Sequence, residues 1–307
     1  MQLTIIIVNW NSGDLLHNCV SSLLDSSYSD YMCYIIDNDS SDDSFKKVRE
    51  KYYDKRLVYI KNECNIGFGR ACNSVLSLIK SEYVLLLNPD TLLNKYSLEN
   101  AIGFIDEHQN IDVLGIQNIT KDNSILRTCS RFPNTLRLIN DIVGLSKVMP
   151  GIFKPATIMT DWDHCDSRFI DHVSGAFYLV RFKILSLTGF FDERFFLYME
   201  DLDLSKRIIE RGGRIFFNAD YKIIHEGGGT SKKIPATRLY YSLQSRFLFC
   251  EKYKNEISAG FILAISLLLE PLVRIAGSLI FLKFNEVPVI FKSYRLFFIW
   301  LIRKKKN

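Results

Sequence analysis

Tyr83-Val84-Leu85-Leu86-Leu87 is a short, wholly apolar run that stops at Asn88-Pro89-Asp90-Thr91. A run of that length without polar alternation reads as a strand buried on both faces of a parallel sheet. Pro89 ends it, because proline brings no N–H to the ladder. Asp90 then lies just past the strand's C-terminal end, the edge at which open α/β sheets bind ligands. A carboxylate there suits a hard divalent cation, and such a cation bridges phosphate oxygens. Taken alone, Asp90 and Thr91 would equally well start a turn or cap the next helix, so the surrounding chain has to decide.

Leu3 to Val8 is a continuous β-branched run and a first buried strand. Leu15, Leu16, Cys19, Val20, Leu23 and Leu24 then recur at helical spacing. Tyr34 to Ile36 is a second strand ending at Asp37, and Leu57 to Ile60 a third. Gly69 to Lys80 reads as a helix, Tyr83 to Leu87 as the fourth strand, Ser97 to His108 as a helix and Val113 to Gln117 as a strand. This alternation predicts a mostly parallel, doubly wound central sheet flanked by helices. From Thr128 to Asp171 the period fades among Phe132-Pro133, Met149-Pro150-Gly151 and Lys154-Pro155, and a long, partly ordered excursion is expected. Order returns with a strand over Val173 to Val180, a helix from the Glu200 region to about Glu210, and short strands at Arg214 to Phe217 and Lys222 to His225. The run Gly227-Gly228-Gly229 follows, then a helix over Pro235 to Tyr253.

The tail changes character. Ile257 to Leu282 is strongly apolar but broken by Glu270, Pro271 and Arg274, and its longest uncharged stretch, Ile257 to Leu269, is shorter than the ~20 residues a spanning helix needs. Helices lying in a membrane interface are therefore expected over a span. Phe291 to Ile302 adds aromatics before Arg303-Lys304-Lys305-Lys306, a combination that suits the cytoplasmic face of a membrane; helices packed on the protein's own core or on a second subunit, as in a homodimer, are the other reading. Much of the net charge of +5 sits in that last segment, which is weak evidence for nucleic acid and better evidence for an anionic membrane surface, so no nucleic-acid partner is expected. Seven scattered cysteines with no CxxC pair signal neither a zinc site nor a disulfide framework. The N-terminus enters a strand almost at once, so no secretion signal is expected.

Three strand ends supply acidic or amide side chains to one rim: Asn9 and Asn11, Asp37 to Asp39, and Asn88 to Asp90. Parallel strands place their C-terminal ends together, so these groups converge. Asp37 or Asp39 would accept hydrogen bonds from a base N–H or a ribose hydroxyl. In Asn65-Ile66-Gly67-Phe68-Gly69-Arg70-Ala71-Cys72-Asn73 two glycines open a helix whose N–H groups would meet an anion. It is not a dinucleotide fingerprint, since Cys72 stands at the third glycine position. Glu200-Asp201-Leu202-Asp203 places carboxylates at a helix N-terminus, where the dipole favours the ionised form and an ionised carboxylate can take a proton from an attacking hydroxyl. His225 ends a short strand, and a neutral imidazole there would suit a metal. Each residue taken singly also fits a cap or turn; their convergence favours function.

In order along the chain, Ile7-Val8-Asn9-Trp10-Asn11, Ile36 to Asp42, Asn65 to Gly69 with Asn73, Leu87 to Thr91, Ser174-Gly175-Ala176, Gly189 to Glu193 with Phe196 and Tyr198, Glu200 to Leu204 with Arg207, and His225 resemble a family 2 glycosyltransferase of the GT-A fold. The resemblance covers about residues 3 to 230 and is nearest the bacterial rhamnosyltransferase-like branch. It implies a GT-A domain over 1–232, with a nucleotide-binding half at 1–120 and an acceptor-binding half at 121–232, and a helical, membrane-associating region over 233–307. It also implies that Asn9, Asn11, Asp37, Asp39, Asn65, Gly67, Phe68, Asn73 and Asn88 bind the nucleotide. Asp90, matching the last carboxylate of the family's DxD element, would hold Mg²⁺ or Mn²⁺, with His225 completing the shell. Asp201 would be the catalytic base, with its neighbour Glu200 the second choice, and Ser174, Gly175 and Tyr198 would meet the acceptor. One departure is Asn88 at the first acid of the DxD element: with fewer anionic ligands, diphosphate oxygens must supply the remaining metal contacts.

The function so implied is inverting transfer of a sugar from a nucleoside-diphosphate donor, dTDP-rhamnose or a UDP-sugar, to a hydroxyl of a glycan or polyprenyl-diphosphate-linked acceptor. Its setting would be bacterial surface polysaccharide assembly, such as O-antigen, at the cytoplasmic face of the membrane. A sugar nucleotidyltransferase would show a basic glycine-rich loop near the first strand, and Asn11-Ser12-Gly13-Asp14 is not basic. A non-catalytic sugar-nucleotide-binding protein would have lost acidic positions, and Asp37, Asp90 and Asp201 are all present.

Overall fold

β1 (Leu3–Asn9) is buried along its whole length and pairs in parallel with β2 (Tyr31–Asp37) on one side and β4 (Tyr83–Leu87) on the other. β2 pairs in parallel with β3 (Leu57–Lys61). The computed structural model describes residues 1–227 and 234–306; Gly228 and Gly229 of the glycine run lie outside the described residues. The apolar strands bury both faces because helices cover them: α1 (Asp14–Leu24) turns Leu16, Cys19, Val20 and Leu23 inward, α2 (Ser44–Lys51) buries Phe45 and Val48, and α4 (Ser97–Glu107) buries Leu98, Ala101, Ile102 and Ile105. These side chains and the strand residues form one continuous core. Burial of such apolar surface is the main force holding the sheet.

The helix expected over Gly69 to Lys80 is shorter: α3 spans Phe68–Asn73, and only a single helical turn follows at Leu76–Leu78. After Asp90 the chain enters β5 (Thr91–Leu93), a three-residue strand antiparallel to β12 (Ile215–His225). β12 is one strand where two were expected; a bulge between Asn218 and Lys222 interrupts its pairing with β6 (Val113–Ile119) and accounts for the polar gap in the pattern.

The sheet is mixed, in the order β3-β2-β1-β4-β11-β6-β12-β5. β11 (Phe177–Arg181) inserts antiparallel between β4 and β6. The strand expected over Val173 to Val180 is divided: β10 (His172–Val173) pairs with β8 (Cys129–Ser130) in a separate two-stranded sheet, and Ser174-Gly175-Ala176 links it to β11. Short strands β7 (Ile125–Leu126) and β9 (Arg168–Ile170) border β6 and β12. α7 (Phe182–Thr188) and α8 (Glu200–Glu210) complete this part of the chain.

Two compact units emerge. The first comprises Met1–Arg131, Trp162–Phe196 and Glu200–Thr230; the second comprises Phe132–Asp161, Leu197–Met199 and Ser231–Asn307. The second holds α5 (Thr135–Ile142), α6 (Leu145–Val148), α9 (Pro235–Tyr253), α10 (Glu256–Leu268), α11 (Glu270–Ile280) and α12 (Glu286–Lys306). Its core joins Leu138, Ile142 and Ala156 of the Thr128–Asp171 excursion to Cys250, Ala259 and Ile262 of the tail, so much of that excursion is ordered against the tail helices. Glu256–Ile280 is by length and composition long and apolar enough to cross a membrane. The sequence reading counted only the uncharged stretch Ile257 to Leu269 toward a span, but the helix continues through Glu270.

Candidate active site

The site is built on the carboxyl ends of β1, β2 and β4. Asn9 and Asp37 are register partners, and both are buried. Asn9 Nδ2 donates to Asp37 Oδ1 at 2.8 Å, Ser44 Oγ at 3.0 Å and Ser40 Oγ at 3.1 Å. Asp37 Oδ2 accepts the Ser40 N–H at 3.2 Å. Asn11 Oδ1 accepts the N–H groups of Ser41 and Asp42 at 2.7 and 3.1 Å. These three residues therefore shape the 37–42 loop from within. Asp39, on that loop, is exposed and held at φ 62°.

Asn38, placed on the rim by the sequence but given no role of its own there, ties that loop to the next. It is buried, and its Oδ1 accepts Ile66 N–H and Asn62 Nδ2 at 3.1 Å each. Its Nδ2 donates to Asn65 Oδ1 at 2.9 Å. Gly67 has φ 89°, and a Cβ there would stand 2.5 Å from Phe196 O. The close approach lets the Phe68 N–H donate to Phe196 O at 2.9 Å. Asn73 faces the 191–193 turn: its Nδ2 donates to Phe191 O at 2.9 Å and its Oδ1 accepts Phe191 N–H at 3.0 Å.

Asp90 and His225 meet because β5 and β12 pair, with His225 opposite Thr91. His225 Nε2 lies 3.2 Å from Asp90 Oδ1, and both side chains are largely buried. A neutral imidazole protonated on Nε2 donates to this carboxylate, whereas one protonated on Nδ1 presents an Nε2 acceptor that a cation would bridge to it. His225 Nδ1 is buried without a partner among the described residues. A carboxylate oxygen beside an imidazole nitrogen fits a divalent cation. Among the described residues no group of three or more His, Cys, Asp or Glu side chains could hold one.

The Asn88 N–H donates to Ala176 O at 3.2 Å, which sets the 174–176 link beside the end of β4. From that link the Gly175 N–H donates to Asp201 Oδ2 at 3.2 Å. A backbone path thus joins the Asp90 end of the rim to Asp201 at the start of α8. Ser174 Oγ accepts the Ala176 N–H at 3.2 Å, closing the link. Tyr198 belongs to the Leu197–Met199 segment of the second unit, where it and Met199 carry positive φ of 70° and 63° and Ser245 Oγ donates to Leu197 O at 2.7 Å.

The acidic cluster at α8 divides by environment. Glu200 is buried; burial first, and the neighbouring Asp201 charge second, push its carboxyl well above the ordinary range. Burial also raises Asp201, but the charge and hydrogen bond of His172, with the Gly175 and Leu202 N–H groups, outweigh it and leave its carboxyl below the ordinary range. The two adjacent carboxyls are thus pushed in opposite directions, Glu200 toward its neutral form and Asp201 toward its ionised form. Asp203 is fully buried and pairs with Arg207 Nε at 2.8 Å, while the guanidinium also donates to Thr188 O, Gly189 O and Phe190 O. That i,i+4 pair fixes the turn after α7.

Behind Asp201 runs a buried polar chain absent from the sequence reading. His172 Nε2 is 3.5 Å from Asp201 Oδ2, His172 Nδ1 is 2.8 Å from Ser205 Oγ, and Ser205 Oγ is 3.1 Å from the Tyr178 hydroxyl. Ser205 lies four residues after Asp201 on the same helical face, which was a usable signal; His172 reaches the face only through the β8–β10 pairing.

The family model described as glycosyl transferase family 2 matches residues 4–185. N-acetylglucosaminyl-diphospho-decaprenol L-rhamnosyltransferase of Mycobacterium tuberculosis is 23% identical over 263 residues, 80% of this chain and 83% of the relative. The structure of S. aureus TarS 1–349 in complex with UDP-GlcNAc aligns with a TM-score of 0.54 at 20% identity, covering 95% of this chain and 79% of that one. Mannosyltransferase PcManGT from Pyrobaculum calidifontis, in complex with GDP-Man and Mn²⁺, aligns with a TM-score of 0.54 at 14% identity, covering 95% and 73%. The structural likenesses establish the GT-A fold.

Proposed function

The chain belongs to glycosyl transferase family 2, and from that premise we propose that it transfers a sugar from dTDP-rhamnose or a UDP-sugar, with inversion, to a hydroxyl of a glycan or polyprenyl-diphosphate-linked acceptor. The setting we infer is bacterial surface polysaccharide assembly at the cytoplasmic face of the membrane. Residues 1–232 would form the catalytic domain and 233–307 the membrane-associating region. The observation that supports the reading is the hydrogen-bonded link from Asn88 through Ala176 and Gly175 to Asp201, which ties the Asp201 carboxylate to the end of β4.

Asp39 and the Asn65–Phe68 turn would meet the base and ribose, while Asn9, Asn11, Asp37 and Asn73 hold the loops that do so. Asp90 and His225 would hold Mg²⁺ or Mn²⁺, which when bound neutralises charge on the leaving diphosphate. Asp201 accepts the proton of the acceptor hydroxyl as that oxygen attacks the anomeric carbon. The bond to the diphosphate breaks on the opposite face, so one displacement inverts the centre. Glu200, buried and with its carboxyl raised by that burial, is the second choice for the role of base. Ser174 and Gly175 would line the acceptor's approach.

The test is Asp201→Asn. A positioned general base contributes about 10²–10⁴-fold, so transfer falls by that factor while donor binding stays unchanged. Near-normal transfer by the variant contradicts the assignment.

A further inference from the structure

The α10–α11 segment has inverted polarity. Leu269 continues the helix, its N–H donating to Ile265 O at 2.9 Å and its carbonyl accepting Val273 N–H at 3.0 Å. Along this continuous helix Ile257, Phe261, Leu268, Leu272 and Leu279 recur at steps of four and seven, which is a single stripe. That stripe is exposed: Ile257 by 86%, Leu268 by 74% and Leu272 by 63%. The inner face carries Ala259 and Ile262, and three polar residues beside them. Ser266, Glu270 and Ser278 are buried, with Ser266 Oγ accepting from Arg246 at 3.1 Å and Ser278 Oγ donating to Glu286 at 3.2 Å. Water is the wrong medium for such an outer face; hydrocarbon is the right one.

We propose that this helix lies in the plane of one leaflet of an anionic bilayer, its apolar stripe inserted, and does not cross. Glu270 stands near the middle of the segment, 1% exposed, and pairs with Arg246 of α9 and, at 2.7 Å, with Arg274. A crossing would carry all three charges, and with them the Glu251 and Lys252 end of α9, toward the hydrocarbon centre, where each charge is costly. Lying flat, the lock stays on the protein side while the stripe enters the acyl boundary. Charge selects the lipid. On the following segment Lys283, Lys292, Arg295 and Arg303 are exposed against one exposed acid, Glu286, and Arg295 shares a stripe with the exposed Phe291 and Phe298. Basic and aromatic residues so interleaved suit an anionic headgroup layer.

This deepens the membrane-associated reading above, and because lipid binding is measured without turnover, it stands or falls separately from glycosyl transfer. In the full chain, with exposed Cys64 and Cys165 changed to Ser, an environment-sensitive dye is placed by Ile257→Cys, Leu268→Cys or Leu279→Cys. Phosphatidylglycerol-containing vesicles with depth-graded quenchers then report position. The three sites are expected at one shallow depth, and omitting phosphatidylglycerol weakens binding roughly a hundredfold. The pair Leu268→Asp and Leu272→Asp loses vesicle binding while keeping nucleotide binding. A deep Leu268 site between shallow ends would show a span and overturn the proposal. So would a folded, nucleotide-binding protein that ignores vesicles, whether as a dimer covering the stripe or as a monomer.

Discussion

Replacing His172 by Phe removes the group that, of those lowering the Asp201 carboxyl, acts most strongly. Full unit charges at the observed 3.5 Å attract by about 4.7 kcal/mol at an effective dielectric near 20. That is an upper bound, because the imidazole carries its charge only when protonated and the Asp201 side chain is 24% exposed. A charge-assisted hydrogen bond is worth about 1.5–3 kcal/mol, which sets the expected loss at roughly 10- to 100-fold in kcat, with donor KM little changed. The direction of the pH effect follows from the same balance. Without His172, burial dominates, the Asp201 carboxyl rises, and the acidic limb of the kcat/KM profile moves to higher pH. Linked to folding, a depressed carboxyl stabilises above its unfolded pKa and loses that contribution as pH falls through its folded one, so the variant's acid stability profile flattens. His172→Gln, which keeps an N–H donor, should recover part of kcat. The assay is steady-state transfer across pH for wild type, His172→Phe and His172→Gln. A phenylalanine variant with wild-type kcat and an unmoved acidic limb would refute the argument.

Glu200→Gln should retain transfer, since a protonated carboxyl and an amide are similar in shape and charge. It should also gain stability at neutral pH: the wild-type carboxyl is raised well above 4.5 in the fold, so the unfolded chain sheds its proton first and stability falls as pH rises past that value. Denaturant midpoints for the two proteins should converge below pH 4.5, and loss of transfer as severe as in Asp201→Asn would contradict the division of roles. Gly67→Ala combines a backbone conformation open almost only to glycine with a Cβ 2.5 Å from Phe196 O; a loss of about 2–4 kcal/mol is expected in urea denaturation, and a neutral result would contradict the close contact.

Strands such as Leu3–Asn9 and Tyr83–Leu87 were legible because burial on both faces leaves an uninterrupted apolar run. The direction of β11 was not, since a buried strand has the same composition whichever way it runs. β5 has only three residues, too few for a period, yet it brings His225 to Asp90. Asp201 and Asp90 were singled out from helix-start and strand-end positions, and the structure has them at the start of α8 and just past β4. What distinguishes Asp201 from Glu200 is burial and the approach of His172, which depend on contacts between distant segments. The order of the excursion around Leu138 and Ile142 was hidden for the same reason, because its apolar partners, Cys250, Ala259 and Ile262, lie about a hundred residues away.

Donor binding at the Asp90–His225 rim tests the central claim most directly. Thermal unfolding is followed with Mn²⁺ plus dTDP, UDP, GDP or CDP, for wild type and for Asp90→Ala. A ligand that binds only the folded state stabilises it by about 2.7 kcal/mol at a hundred times its Kd. The account predicts a metal-dependent rise in midpoint with dTDP or UDP that disappears in Asp90→Ala. No rise with any nucleotide in demonstrably folded protein, or an equal rise in the variant, would contradict it.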